Sequence, residues 1–214
     1  MAVTGSVTPQ SPESHRTMKA RRSYDMTSRS AAAAETADRI VAAAMTLLES
    51  VPITDITLGD IAANAGVTVQ TVLRRFGDRD SVFAAAIERF AREVFAQRGA
   101  AEPGDPAAAV TNLIDHYERS GALVLKMIAA QGASPALGAM VAGGAAYHRD
   151  WCARVFAASL TDLTRTARAR RLAQITAVCD VRTWQLLRHD GSLSRAQTHT
   201  AILELLEPLL KPTG

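Results

Sequence analysis

The side chains best placed to do chemistry in this chain of 214 residues are a short polar and basic run, Val69, Gln70, Thr71, Arg74 and Arg75. On a helix these positions project from one outward face. Each suits an edge exposed in the major groove of double-stranded DNA: arginine pairs with guanine, glutamine with adenine, and valine or the threonine methyl touches the methyl of thymine. Catalytic alternatives are poorly supplied. The chain has no Walker-type glycine loop, no HExxH and no GxSxG. His15, His116, His148, His189 and His199 are scattered, and Cys152 and Cys179 are too isolated for a metal site or a disulfide framework. The expectation is a protein without catalytic residues, metal or cofactor, and not an enzyme.

Reading helices must be held at a fixed angle, and the flanking residues supply the means. Gly66 stands where one short helical pattern stops and another starts, and a tight turn there calls for a residue that tolerates positive φ. Ala62, four residues earlier, faces the second helix, where a larger side chain would push the two apart. Ile61, Ala65, Val67 and Val72 complete a small apolar seam. Thr57 with Asp60 three residues on has capping-box spacing, and Thr68 can cap the second helix. Phe76, Gly77 and Asp78 close that helix, and Asp78 can cap the next, which leaves Arg79 at a helix N-terminus. The helix dipole disfavours a cation there, so an external phosphate is the expected partner. Thr57, Thr68 and Arg79 are thus the expected phosphate clamps around the base readers.

Thr57, Ile61, Ala62, Ala65-Gly66-Val67-Thr68, Thr71, Phe76 and Arg79 together resemble the N-terminal domain of the tetracycline-repressor (TetR) family, over roughly residues 34 to 98. Two positions depart from the family pattern: Leu73 stands where a phosphate-contacting Tyr is usual, and Gln70 where Gly or Pro is frequent. The resemblance implies a dimeric transcriptional regulator whose operator binding is coupled to a ligand by reorientation of the readers. It also implies that the two C-terminal helices of each subunit form a symmetric four-helix interface.

Composition agrees with a folded helical protein. Hydrophobic residues make up 48% of the chain and aromatics 5%, Ala and Leu are abundant, and period-two alternation is scarce, which points to an all-α fold. Net charge is +3 and is divided almost evenly on either side of residue 98, so bulk charge does not reveal a nucleic-acid domain and local placement must. No apolar run approaches the roughly 20 residues of a membrane span. The opening MAVTGSVTPQ lacks the pattern of a secretory signal. A cytoplasmic protein without a membrane partner is expected, its two cysteines most simply buried free thiols.

In chain order, residues 1–30 read as a disordered basic arm able to add phosphate contacts. Residues 31–80 form the three-helix DNA-binding domain, opening with a helix from about Ala33 to Ser50 that carries Ile40, Ala44, Leu47 and Leu48 on one stripe. Residues 81–97 form a connecting helix with Val82, Phe83, Ala86, Ile87, Phe90, Ala91 and Val94 at helical spacing. The Gly- and Pro-rich stretch from Arg98 to Pro106 marks the domain boundary. Residues 106–214 form a helical ligand-binding and dimerisation domain.

That second domain shows short helices over Ala107 to about Arg119 and Leu123 to about Ala130, then an Ala- and Gly-rich stretch to Ala146 that leaves room either for close packing or for a ligand. Tyr147, His148, Trp151 and Cys152 follow, with His116, Tyr117, Met127, Met140 and Trp184 as groups that could face them. Tyr117, Met127, Met140, Tyr147, His148, Trp151 and Trp184 are the candidate ligand contacts, since an apolar cavity with few polar anchors is the usual form of a small-molecule site. For each residue taken alone, ordinary core packing is the commoner role. A helix from Thr164 to about Arg188 opens with Arg165, Arg168, Arg170 and Arg171, a run most simply solvated. The last helix carries Ile202, Leu205, Leu206, Leu209 and Leu210.

The leading expectation is a dimeric repressor that binds palindromic operator DNA and is released by a small-molecule effector. Two other functions fit the sequence: a ligand-free architectural protein or protein-interaction platform on DNA, and a regulator that senses thiol chemistry through Cys152 or Cys179.

Overall fold

The computed structural model describes residues 13–211, and every regular element among them is helical. Helices α1 (Glu13–Ser50), α2 (Leu58–Ala65), α3 (Val69–Phe76) and α4 (Arg79–Gly99) make up the N-terminal part. They are followed by α5 (Pro106–Ala129), α6 (Pro135–Val155), a 3₁₀ turn (Ala157–Leu160), α7 (Arg165–Val178), α8 (Val181–Gln185), which continues as a π turn (Leu186–Asp190), and α9 (Arg195–Leu210).

The first helix is longer than the sequence reading expects. Its backbone is helical from Glu13, although residues 1–30 read as a disordered arm. The stretch from Glu13 to Ser50 contains neither Pro nor Gly, so nothing breaks a helix that propagates back from the Ala31–Ala34 run. Residues 1–12 of the arm lie outside the described residues. Ile40, Ala44, Leu47 and Leu48 point inward as their spacing indicates and pack on Ile56, Ile61, Val72 and Val82.

Three further departures have local causes. The two short helices expected between Ala107 and Ala130 are one, because Gly121 sits inside α5 without ending it. A Cβ at Gly121 would stand 2.6 Å from a ring carbon of the buried Trp184, so the glycine is there for close approach rather than for a turn. Conversely, the single helix expected from Thr164 to Arg188 is interrupted at Cys179 and Asp180. Asp180 turns extended and its carboxylate accepts from the backbone N–H of Arg182 at 2.9 Å, capping α8. The Gly-rich stretch forms a regular helix, α6, with Gly138, Gly143 and Gly144 inside it, after Ser134 caps its start.

Two apolar cores result. One lies within the C-terminal part, built on Leu113, Ile114, Trp151, Leu160, Ile175 and Leu206. The other is the core of the N-terminal helices, but Leu123 and Met127 of α5 and Leu137 of α6 belong to it as well. The two parts therefore share packing. Helix α5 touches α1 and α4 on one side and α6, α8 and α9 on the others.

Candidate nucleic-acid interface and sensor cavity

The hairpin of α2 and α3 is built as its caps require. Thr57 and Asp60 close a reciprocal capping box: the Asp60 carboxylate accepts from the Thr57 N–H at 2.8 Å and its hydroxyl at 2.6 Å, while Thr57 Oγ1 accepts from the Asp60 N–H at 3.2 Å. Those hydrogen bonds from Thr57 hold the exposed Asp60 carboxyl below its ordinary pKa. Gly66 ends α2 at φ +64°, with its own N–H donating to Ala63 O and that of Val67 to Ala62 O, the pattern of a left-handed C-terminal cap. Thr68 then caps α3, accepting from the Thr71 N–H at 3.2 Å, and the two hydroxyls are hydrogen-bonded at 2.9 Å.

Val72 alone is buried on α3. Val69, Gln70, Arg74 and Arg75 are exposed on its outer side, Thr71 and Leu73 are half-buried, and Thr57 and Thr68 are exposed at the two helix starts. All eight candidate DNA contacts thus gather on the α2–α3 unit and the start of α4. Arg79 differs from the rest. Its guanidinium donates to Ile56 O at 3.1 Å and lies over the Phe83 ring, with the centroid 5.5 Å away. It is held against the domain rather than extended, so it also joins α4 to the loop before α2. Asp78 caps α4 by accepting from the Ser81 N–H at 2.7 Å.

Two cavities lie beyond the hairpin. The first, of about 340 Å³, opens between the N-terminal and C-terminal parts and includes Arg79, Phe83 and Leu137 in its wall. The second, of about 400 Å³, lies among α4, α5, α6 and the α7–α8 corner. Ile87, Met127 and Met140 belong to the walls of both.

Of the seven candidate ligand contacts, Tyr117, Met127, Met140, Tyr147 and His148 line the second cavity. Trp151 and Trp184 are outside its wall. Trp151 is buried behind it, donating from Nε1 to Arg98 O at 2.8 Å, and Trp184 is packed on Gly121 with its Nε1 donating to Glu118 at 3.2 Å. Each indole has its one donor satisfied away from the cavity, Trp151 by a buried carbonyl and Trp184 by the carboxylate of the exposed Glu118.

Arg98, Phe95, Thr176, Asp180 and Arg182 are among the wall residues that were not candidate contacts in the sequence. Arg98 stands at the start of the Gly- and Pro-rich boundary and reads as a surface charge, yet it is 2% exposed. Phe95 stacks against Tyr147 with centroids 4.1 Å apart.

Ionisation in the cavity follows burial. His116 is pushed down to about 3 by burial, with the charges of Arg98 and Arg119 acting in the same direction. Burial pushes the Tyr117 hydroxyl well above its usual range, and that hydroxyl donates to Cys179 O at 2.9 Å. Cys152 and Cys179 are free and buried. The thiol of Cys179 is pushed up by its hydrogen bond with Cys152 and by burial, which leaves it a poor nucleophile. Among the described residues no three His, Cys, Asp or Glu side chains are placed to hold a metal ion, and no helix is long and apolar enough to cross a membrane.

Residues 40–86, which span α2, α3 and parts of α1 and α4, match the family model of bacterial regulatory proteins, tetR family. No curated protein matches the chain. Among solved structures, a transcriptional regulator from Rhodococcus sp. Rha1 superposes with a TM-score of 0.65 at 19% identity, covering 81% of this chain and 95% of that one. A Rhodococcus sp. protein designated a TetR-family transcriptional regulator gives 0.62 at 19% identity, covering 83% and 100%. The multidrug binding protein EbrR, complexed with imidazole, gives 0.54 at 23% identity, covering 78% and 88%. These likenesses establish a shared all-α fold, a helix-turn-helix domain followed by a helical C-terminal domain.

Proposed function

We propose that this chain, whose residues 40–86 carry the DNA-binding domain of the tetR family, is a dimeric repressor released from operator DNA by a small-molecule effector. The observation that carries the reading is the double wall formed by Ile87, Met127 and Met140. These residues line both the cavity among α4, α5 and α6 and the one between the N-terminal and C-terminal parts. A ligand that reshapes the first changes the packing of the second.

In this reading Gln70, Thr71, Arg74 and Arg75, with Val69, read bases, while Thr57, Thr68 and Arg79 contact phosphates. Leu73, half-buried on α3, has no polar atom to offer a phosphate. Two-fold pairing would set two recognition helices about 34 to 36 Å apart, or a multiple of that, matching successive major grooves of a palindrome. The exposed Leu186 and Leu205, on the hairpin of α8 and α9, favour that face for the pairing.

The effector must bind the DNA-incompetent arrangement more tightly than the competent one, since equal affinity for both shifts nothing. Helix α4 is the lever: it starts at the DNA face with Arg79 and ends in the second cavity with Phe95 and Arg98. The multidrug-binding description of EbrR, which shares the fold, is in keeping with a small molecule in such a domain.

The test is to select duplexes from a random pool with the purified protein, sequence them, and then screen metabolites for thermal stabilisation paired with release of the selected duplex. A palindromic consensus and ligands that both stabilise the protein and release DNA are expected. Ligands that raise operator affinity would overturn the repressor-release reading.

A further inference from the structure

Arg98 is an unusual residue to find in a cavity wall. It is 2% exposed, and its guanidinium carbon lies over the Trp151 ring, 4.0 Å from the ring centroid. Among the described residues no carboxylate pairs with it. One hydrogen bond is recorded for its side chain, from Nη2 to His148 Nδ1 at 3.3 Å, and its buried Nε has no acceptor. A guanidinium offers five N–H donors and does not lose its proton in proteins. Burial of such a charge without a counter-charge is strongly unfavourable.

No neighbour is paired with the guanidinium directly: the Cys152 thiol, pulled down to about 5 chiefly by its hydrogen bond with Cys179, lies against His148 Nε2 at 3.9 Å and not against Arg98. Arginine only donates, so His148 Nδ1 accepts, and its Nε2 must then carry the ring proton, which it gives to Thr176 O at 3.2 Å. His148 is therefore a neutral ring fixed by Arg98 on one side and a carbonyl on the other. The acid nearest the cavity, Asp180, is already engaged: its carboxylate accepts from Arg182 N–H at 2.9 Å and lies 3.3 Å from the Arg182 guanidinium. The rest of the wall near Arg98 is apolar, with Phe90, Val94, Ile128 and Val141 among its residues.

Resting on the effector reading of this cavity, we infer that its ligand is a small organic acid, with the carboxylate paired to Arg98 and an apolar body against the α4–α6 wall. A cavity of about 400 Å³ accommodates an acid of the size of octanoate or 3-phenylpropionate. The neutral His148 selects for an anion by keeping the guanidinium oriented without competing for it. A bidentate pair between guanidinium and carboxylate supplies both strength and direction.

The test uses the full chain with octanoate and 3-phenylpropionate as probes, each compared by calorimetry with its primary amide. The acids should bind at least roughly tenfold tighter than the amides, as a charge-assisted pair in a desolvated site requires. Arg98→Met should abolish that preference. If that variant does not fold, Arg182→Met decides the point: the preference for the acids should survive there, and its loss would assign the carboxylate to Arg182, which lines the same cavity. Amides that bind as well as the acids, acids that fail to bind, or a preference that persists in Arg98→Met would each overturn the inference. Release of the selected operator duplex is measured separately. Acids that bind through Arg98 but leave DNA bound would refute the effector reading and not the anion site, whereas neutral compounds that release DNA would do the reverse.

Discussion

The ammonium of Lys126 is 2.9 Å from the carbonyl oxygen of Leu48, and it also donates to Glu49 O and Val51 O at 3.0 Å each. A side chain of α5 thus caps the C-terminal end of α1, where carbonyls lack intrahelical partners and the helix dipole favours a cation. The next residue along α5 is Met127, which lines both cavities.

Replacing Lys126 with Met keeps the aliphatic stem and removes all three donors. Stability should fall by about 1.5–3 kcal/mol, the range of hydrogen bonds to charged groups, as measured by denaturant unfolding. The effect of ligand on operator affinity should also shrink. Unchanged coupling in a destabilised Lys126→Met would confine the residue to a capping role.

Arg74→Ala and Gln70→Ala should each relax base discrimination, by about 1–3 kcal/mol for a lost bidentate contact, when assayed against a panel of single-base operator variants. Arg79→Ala should weaken binding to all sequences alike. It should also lower stability, because Arg79 holds Ile56 O. A changed base preference in Arg79→Ala would refute the phosphate role.

Gly121→Ala should destabilise by about 1–3 kcal/mol, as overpacking of a filled core does, since the new methyl would overlap the Trp184 ring. Trp184 fluorescence should shift with it. Full stability in Gly121→Ala would mean that the ring moves freely, contrary to its burial.

His116 makes stability fall in acid. Its folded pKa of about 3 lies below the 6.5 of an ordinary histidine, so the unfolded chain takes up the proton first. The stabilisation is complete above about pH 6.5 and is lost as the pH falls towards 3, at up to about 1.4 kcal/mol per pH unit. His116→Asn should flatten the curve of unfolding free energy against pH between 6 and 4. An equally steep curve in the variant would assign the acid sensitivity to other groups.

The DNA-binding hairpin was legible because its signals are local. Thr57 with Asp60, Gly66, Thr68 and Asp78 act on backbone groups within a few residues, and each caps or turns the chain as its type and spacing require. The connecting helix and the apolar stripe of α1 were legible for the same reason. The cavity was less so, because it depends on pairs far apart in the chain. Arg98 meets His148 and Trp151 across about fifty residues, and nothing in the sequence beside Arg98 distinguishes it from a solvated surface charge. The continuity of α5 was hidden similarly: Gly121 looks like a helix breaker until Trp184 is found against it.

The three glycines of α6 give the cavity a kinetic property as well as space. A glycine inside a helix forfeits about 1 kcal/mol relative to alanine, and Gly143 and Gly144 are exposed, with open space where a Cβ would stand. One wall of the cavity is thus its least cohesive helix, whereas the opposite wall, α5, carries Leu113, Ile114 and Met127 in the cores. Amide exchange should be faster along Gly143 to Tyr147 than along α5. If the proposed effector enters through fraying of α6, Gly143→Ala with Gly144→Ala should slow both association and dissociation while leaving equilibrium affinity nearly unchanged; unchanged rates would refute that route.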